Sequence, residues 1–397
     1  MRAHLGAVVV SVLVLTGCKS IPLSNDPTMP LADARVSPRR LFSVEWWTPL
    51  VKSELLEWQP RETAQPAVDP VNERVVVATR DGFIRGLDGD TGAVVWSLKT
   101  GSRFFAGATI SNGIAYVPGG DGVLYALRTL TGEKVWEYAI NEELVTVPVI
   151  REGRVFVASQ AEAVYAVDLA TGKWVWQYRR DAPSGFSVRG TSSPVVSEGM
   201  VYMGFADGWV TALGSDDGVI RWERRLTISG GNQFLDVDST PVLDENGHLF
   251  AASFKDGVYS LNAMTGDILW STARAGLTSL VHRSGVIYAS GDGSLSALET
   301  KQGTNLWTID LSDPTSKGKG NNAGQAAMQT RGSIVVPTST ALAFVEPSTG
   351  RVQGAWNPGR GISATPLQSM SVQHGARLYV LSNLGTVYAL QLANGGR

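Results

Sequence analysis

The chain has 397 residues, a net charge of −2, 44 glycines, 12 tryptophans and only 18% charged side chains, a composition suited to many tight turns around a large apolar interior. No basic block or aromatic–basic stripe interrupts it, which argues against a nucleic-acid partner. Such a length could hold two or three domains, but a repeat running along it argues for one.

Arg2 precedes an apolar run from Leu5 to Leu15, and Thr16-Gly17-Cys18 follows. The run is too short to span a bilayer as a mature helix, so residues 1–17 are expected to be a secretory leader. Leu15-Thr16-Gly17-Cys18 has the form of a bacterial lipobox, in which small residues admit the signal peptidase to the bond before a cysteine that is then acylated. Cys18 is the only cysteine in the chain, which strengthens that reading. At ~0.8 kcal/mol per buried methylene, one acyl chain holds a protein marginally and several, palmitate among them, hold it lastingly. Removing the leader, whose only charged residue is Arg2, takes the net charge from −2 to −3. Residues 18–40, the acylated cysteine followed by Pro22, Pro27, Pro30 and Pro38 among scattered polar residues, read as a flexible tether.

From residue 41 to the end the pattern is repetitive. Val44-Glu45-Trp46-Trp47 comes first, and tryptophan then recurs at Trp96, Trp136, Trp176, Trp222, Trp270, Trp307 and Trp356, in most cases four residues after a turn glycine such as Gly92, Gly132 or Gly172. The mean spacing, (356 − 96)/6 or about 43 residues, falls in the range of solenoid and propeller units. Upstream of the turns lie eight strands ending in small and apolar residues, among them Tyr125-Ala126-Leu127, Tyr165-Ala166-Val167 and Tyr388-Ala389-Leu390. Asp81-Gly82, Asp121-Gly122, Asp207-Gly208, Asp256-Gly257 and Asp292-Gly293 precede most of them, and Asp-Gly turns join antiparallel strands tightly. One unit is therefore a β-branched strand, an Asp-Gly hairpin, a second strand, a glycine turn and a tryptophan strand, with a Ser/Thr-Pro-Val strand opening the next.

Four short antiparallel strands per unit describe a propeller blade. Eight apolar strands against seven tryptophan strands leave one blade incomplete. The segment around Trp46 and Trp47 supplies the missing strand, so the N-terminal strand is expected to complete the blade formed by residues 377–392 and close the ring, removing exposed edges. The expected fold is all-β, an eight-bladed β-propeller over residues 41–397. Ser312 to Gly324, with its Lys-Gly-Lys-Gly-Asn-Asn core, reads as a loop between blades.

Catalytic chemistry leaves little trace. His4, His248, His282 and His374 are scattered without metal-ligand spacing, and there is no Gly-x-Ser-x-Gly elbow or phosphate loop. Neither a catalytic residue, a metal nor a cofactor is expected. The one tight carboxylate pair, Asp236-Val237-Asp238, could ligate a cation, but such a pair in a loop more often caps backbone or pairs with a base. Its position says more: Asp236 stands five residues before Pro241, and Arg189 five before Pro194, so the two are equivalent in successive units and emerge on one face. Arg61, Arg103 and Glu143 share that offset from Pro66, Ala108 and Pro148. The tryptophan spacings across the two loops stretch to 46 and 48 residues, and Phe186, Val188 and Leu235 add apolar anchors to the charged rim. Such a mixture suits an interaction surface, where apolar anchors supply affinity and charges supply register. Equally, Arg189 and the aspartates could pair only with each other.

The lipobox, the tether, an eight-bladed propeller of Gly-x-x-x-Trp repeats, Phe186-Ser187-Val188-Arg189-Gly190 and Leu235-Asp236-Val237-Asp238-Ser239-Thr240-Pro241 together resemble the BamB family, over roughly Trp46 to Leu392. That resemblance implies a non-enzymatic lipoprotein subunit of the β-barrel assembly machinery (the BAM complex), which folds and inserts outer-membrane proteins. In the family, a Leu-x-Leu-Arg loop and an Asp-x-Asp loop contact a periplasmic POTRA domain of BamA. Carried over, partner binding falls to Phe186, Val188 and Arg189 and to Asp236 and Asp238; Phe186 and Val188 replace the leucines but remain apolar. The resemblance further implies contact with the other BAM subunits and with unfolded outer-membrane clients. Lys19, not aspartate, follows Cys18, which by resemblance to lipoprotein sorting in enterobacteria implies the outer membrane, with the propeller facing the periplasm. Two alternatives stand beside it. One is a lipid-anchored propeller serving another envelope complex. The other is a pyrroloquinoline-quinone-dependent dehydrogenase, a class built on the same repeat but characterised by adjacent disulfide-bonded cysteines that this chain lacks.

Overall fold

The protein is described here by a computed structural model over residues 41–52, 61–181, 192–226, 236–311, 328–330, 332–338, 340–371 and 375–393. The leader, Cys18, the tether and the 312–324 loop lie outside the described residues. Within them the chain forms eight four-stranded antiparallel sheets, each built from consecutive strands except the last. Blade 1 takes Ala67–Asp69, Arg74–Thr79, Phe83–Asp88 and Val94–Lys99. Blades 2 to 7 repeat that order, starting at Thr109, Val149, Val195, Val242, Ser279 and Met328. The first strands of neighbouring blades lie against one another around the axis, as between blades 1 and 2 and between blades 2 and 3.

Local sequence explains each sheet. In blade 2, Asn112 and Gly113 both take positive φ (50° and 74°), the type I′ geometry whose twist matches the strands it joins. Asp121-Gly122 turns the second strand into the third, and Gly132 turns the third into the tryptophan strand. Side chains alternate faces along each strand. Ala115 and Val117 therefore pack toward blade 1, while Tyr116 between them packs toward blade 3. The consequence is not one core but eight apolar clusters, one per blade boundary.

The repeat tryptophans lock these boundaries. Trp96 donates its indole N–H to the Thr129 carbonyl at 2.8 Å, and its ring lies so close to Gly132 of the next blade that a Cβ there would sit 2.5 Å from it. The same pairing joins Trp136 to Gly172, Trp176 to Gly218, Trp222 to Gly266, Trp270 to Gly303 and Trp307 to Gly350, each with an indole bond to a carbonyl of that turn. Trp46 does the same for Gly92, bonding the Gly89 carbonyl at 2.9 Å.

Ring closure follows the expectation from sequence. Phe42–Pro49 pairs antiparallel with Thr386–Leu392, Phe42 opposite Leu392 and Pro49 opposite Thr386, as the outer strand of blade 8. Two details differ from the sequence reading. Trp47 is exposed and locks nothing; Trp46 alone is the repeat tryptophan. Trp356 is not one either: in blade 7 the position opposite the third strand that holds Trp136 in blade 2 is held by Gly354, paired with Phe344. Counting tryptophans hides this, because Trp356 stands two residues beyond the lock position.

Candidate functional site

The hairpins between second and third strands and the loops joining successive blades share one face of the ring. There the spacing argument can be tested on backbone hydrogen bonds. The carbonyls of Arg103, Glu143 and Asp236 accept the amides of Gly120, Gln160 and Phe254 at 2.8, 2.9 and 2.9 Å. These three charged residues are thus equivalent across blades 2, 3 and 5. In blade 1 the corresponding amide, that of Arg80, is bound instead by the Glu62 carboxylate at 3.1 Å. Glu62 is fully buried, its other oxygen 3.0 Å from the Arg80 guanidinium, and burial pushes its pKa up to about 7.

Phe186, Val188, Arg189 and Leu235 lie outside the described residues, but the chain on either side of them is described. Ser192, three residues beyond Arg189, donates its hydroxyl to the Ser239 carbonyl at 3.2 Å, and the Ser193 amide donates to the Thr240 hydroxyl at 3.2 Å. The residues that enter blade 4, Ser192 and Ser193, therefore lie beside Ser239 and Thr240, which enter blade 5 just after the Asp-x-Asp pair. Ser192 also accepts the Gly204 amide at 3.2 Å, and Ser239 accepts the Ala252 amide at 2.8 Å, so these two residues are pinned to their blades.

The aspartates flank a buried plug. Val237 is fully buried, its amide donates to the Phe205 carbonyl at 3.1 Å, and its carbonyl lies so near Gly204 that a Cβ there would approach to 2.2 Å. That insertion draws Asp236 completely out of solvent and leaves Asp238 mostly buried. Burial, reinforced by the neighbouring charges of Asp236 and Glu162, pushes the Asp238 carboxyl up to about 8. The rim expected from sequence is therefore partly sunken: Asp236 acts from beneath the surface.

Sequence reasoning did not single out Glu162, the third carboxylate here. It occupies the place that glycine holds in the Asp-Gly hairpins, with φ of 56°, in the left-handed region that costs a side-chain-bearing residue energy. Its carboxylate crosses to blade 4 and accepts the Ala206 amide at 3.0 Å. Ala206 is the counterpart of Gly120, Gln160 and Phe254, and its amide is bound by a side chain of the preceding blade. Burial raises the Glu162 pKa, and Asp207 and Asp236 add to it, against the opposing charge of Arg180. The signal in the sequence was the one regular hairpin that reads Ala161-Glu162 where Asp-Gly is the rule.

Two arginines organise the flank. Arg180 is ion-paired with Asp207 and, at 2.5 Å, with Glu223, and its guanidinium lies 5.0 Å from the Trp209 ring centre. Arg179 is paired with Glu142. No group of three or more His, Cys, Asp or Glu among the described residues has metal-holding geometry. What this face presents is fixed polar groups, mostly anionic over blades 3 to 5, on a rigid scaffold.

Comparison with known proteins places these features in context. A family model described as outer membrane protein assembly factor BamB matches residues 80–308 and 241–397. Curated proteins named outer membrane protein assembly factor BamB are similar over shorter stretches. The one from Escherichia coli K12 is 29% identical over 133 residues, 32% of this chain and 33% of its own length. The one from Legionella pneumophila strain Paris is 24% identical over 218 residues, 53% of each. These matches thus span about a third to a half of the relatives' lengths. Among solved structures, BamB from Moraxella catarrhalis superposes with a TM-score of 0.73 at 22% identity, covering 88% of this chain and all of that one. A quinohemoprotein alcohol dehydrogenase from Comamonas testosteroni superposes with a TM-score of 0.70 at 14% identity, covering 90% of this chain and 77% of its own. At such identities the superpositions establish the propeller fold alone.

Proposed function

Because the chain belongs to the BamB family of outer membrane protein assembly factors, we propose that it is a non-enzymatic scaffold of the outer-membrane β-barrel assembly machinery, docking on a periplasmic POTRA domain of BamA. In this reading Cys18 carries the lipid anchor, residues 19–40 are the tether, and the propeller faces the periplasm. Phe186 and Val188 supply apolar anchors and Arg189 a charge. Asp238 offers a carboxyl at the surface, and Asp236, buried beneath it, sets its charge and position. Other BAM subunits and unfolded outer-membrane proteins are the further partners.

The observation that supports docking most directly is that the chain just beyond Arg189 lies against the chain just beyond Asp238, through the Ser192–Ser239 and Ser193–Thr240 bonds. Side chains held in place before a partner arrives bind it at little entropic cost, and Asp238 stands beside the buried Val237.

Replacing Arg189 by glutamate tests the proposal. Removing one member of a desolvated charged pair costs about 2–5 kcal/mol, whereas an exposed rim pair contributes about 0–1 kcal/mol. Co-purification of BamA from solubilised membranes should therefore fall sharply while the thermal melt of the purified variant stays near the parent's. Undiminished co-purification would sink the docking assignment.

A further inference from the structure

Among the described residues, seven of the eight blade boundaries carry the tryptophan–glycine lock, and the boundary between blades 7 and 8 does not. Its lock position is Gly354, which has no side chain to offer. The space is filled from a different strand. Phe42, buried at the first position of Phe42–Pro49, stacks on Phe344 with ring centres 5.3 Å apart and meets Trp356 edge-on at 5.6 Å.

The same strand also holds the opposite boundary. Trp46 is the lock onto blade 1, the Thr48 hydroxyl donates to the Gly92 carbonyl at 2.7 Å, and Glu45 pairs with the buried Arg377, which reaches Asp90 of blade 1 at 3.0 Å. One strand of blade 8 thus takes part in both of its boundaries, beside Tyr388 against Trp356 on one side and Arg377 against Asp90 on the other. In the other blades the outer strand follows the third through a tight glycine turn. In blade 8 it comes from the other end of the chain and meets Thr386–Leu392 only through pairing.

We propose that Phe42–Pro49 is a detachable strap, whose release opens the ring at blade 8 while blades 1 to 7 stay joined by the six locks from Trp96 to Trp307. Release withdraws Phe42 from one boundary and Trp46 from the other together, and it leaves Thr386–Leu392 as an unpaired edge. Because no turn has to be remade and no other blade loses its lock, the opening is a partial one, below the free energy of global unfolding.

Native-state hydrogen exchange on the full chain, read by peptide mass spectrometry, tests this. Peptides covering 42–49 and 386–392 should exchange through a common opening, faster than those covering 154–168 and 200–214. Phe42→Ala should speed the first set by about a hundredfold or more, the loss expected for a buried aromatic, whereas Trp176→Ala, at a boundary that the opening leaves intact, should change the first set by less than about twofold while speeding the second. Equal acceleration of both sets by Trp176→Ala would overturn the proposal, since the ring would then open only as a whole. A second variant covers the case in which Phe42→Ala does not fold. Ser43 and Gln391 are register partners across the strap, so Ser43→Cys with Gln391→Cys closes it covalently. Oxidation should slow exchange in 42–49 and 386–392, and reduction should restore it; exchange that ignores the crosslink would equally overturn the strap.

Discussion

Trp176→Ala is expected to lower the stability of the propeller by about 3–5 kcal/mol, the usual range for deleting a large buried aromatic. Trp176 is 5% exposed, packs 5.9 Å from Phe156, covers Gly218 of the next blade and bonds the Ser215 carbonyl at 2.8 Å. Alanine would leave a void at the boundary of blades 3 and 4 and strip a buried carbonyl of its donor, two costs that add. Its neighbour in kind, Trp47, is 56% exposed, and Trp47→Ala should change stability by no more than about 0.5 kcal/mol. Denaturant midpoints of the two variants against the parent check both statements. A Trp176→Ala loss below about 1 kcal/mol would show that the boundary does not depend on its lock.

Asp238→Asn should stabilise the protein at pH 8 by a few kcal/mol, taking about 1.4 kcal/mol per pKa unit and discounting for partial exposure, and should change it little at pH 4. The direction follows from the carboxyl being held up to about 8, far above its ordinary 3.8. Between those values the folded protein retains a proton that the unfolded chain has released, so stability falls as pH rises through that window. Below it both states are protonated and the group contributes nothing to the slope. Glu62, held up to about 7 from 4.5, tilts the curve the same way over its own narrower window, and Glu162 is raised as well. Asparagine keeps the shape of Asp238 without the charge, so the variant's melting temperature should fall less steeply from pH 4 to pH 8 than the parent's. Parallel pH profiles for the two would mean that Asp238 does not carry the proton.

Within the shared face, legibility varied with the kind of signal. Equivalence of Arg103, Glu143 and Asp236 was readable, because a repeat that conserves loop register also conserves the offset from the following strand. Glu162 was not, because its importance lies in crossing to Ala206, and no spacing along the chain reports that contact. Nor was the burial of Asp236 readable, which depends on Val237 inserting against Gly204, a residue more than thirty positions earlier. The arrangement of Phe186, Val188 and Arg189 lies outside the described residues and stays with the family resemblance.

The sequence by itself determined the architecture: eight units, closure by a strand from the N-terminus, and a tryptophan strand in each unit. It could do so because turns, strand alternation and repeat length are local properties, repeated often enough to average out exceptions. Tertiary structure alone decided the exceptions. That Gly354 and not Trp356 holds the lock position, that Phe42 and Trp356 pack that boundary instead, and that three carboxyls crowd one buried corner all depend on which side chains meet across blades. Those meetings are set by strand register and by how neighbouring sheets pack, at distances along the chain that a one-dimensional pattern does not record.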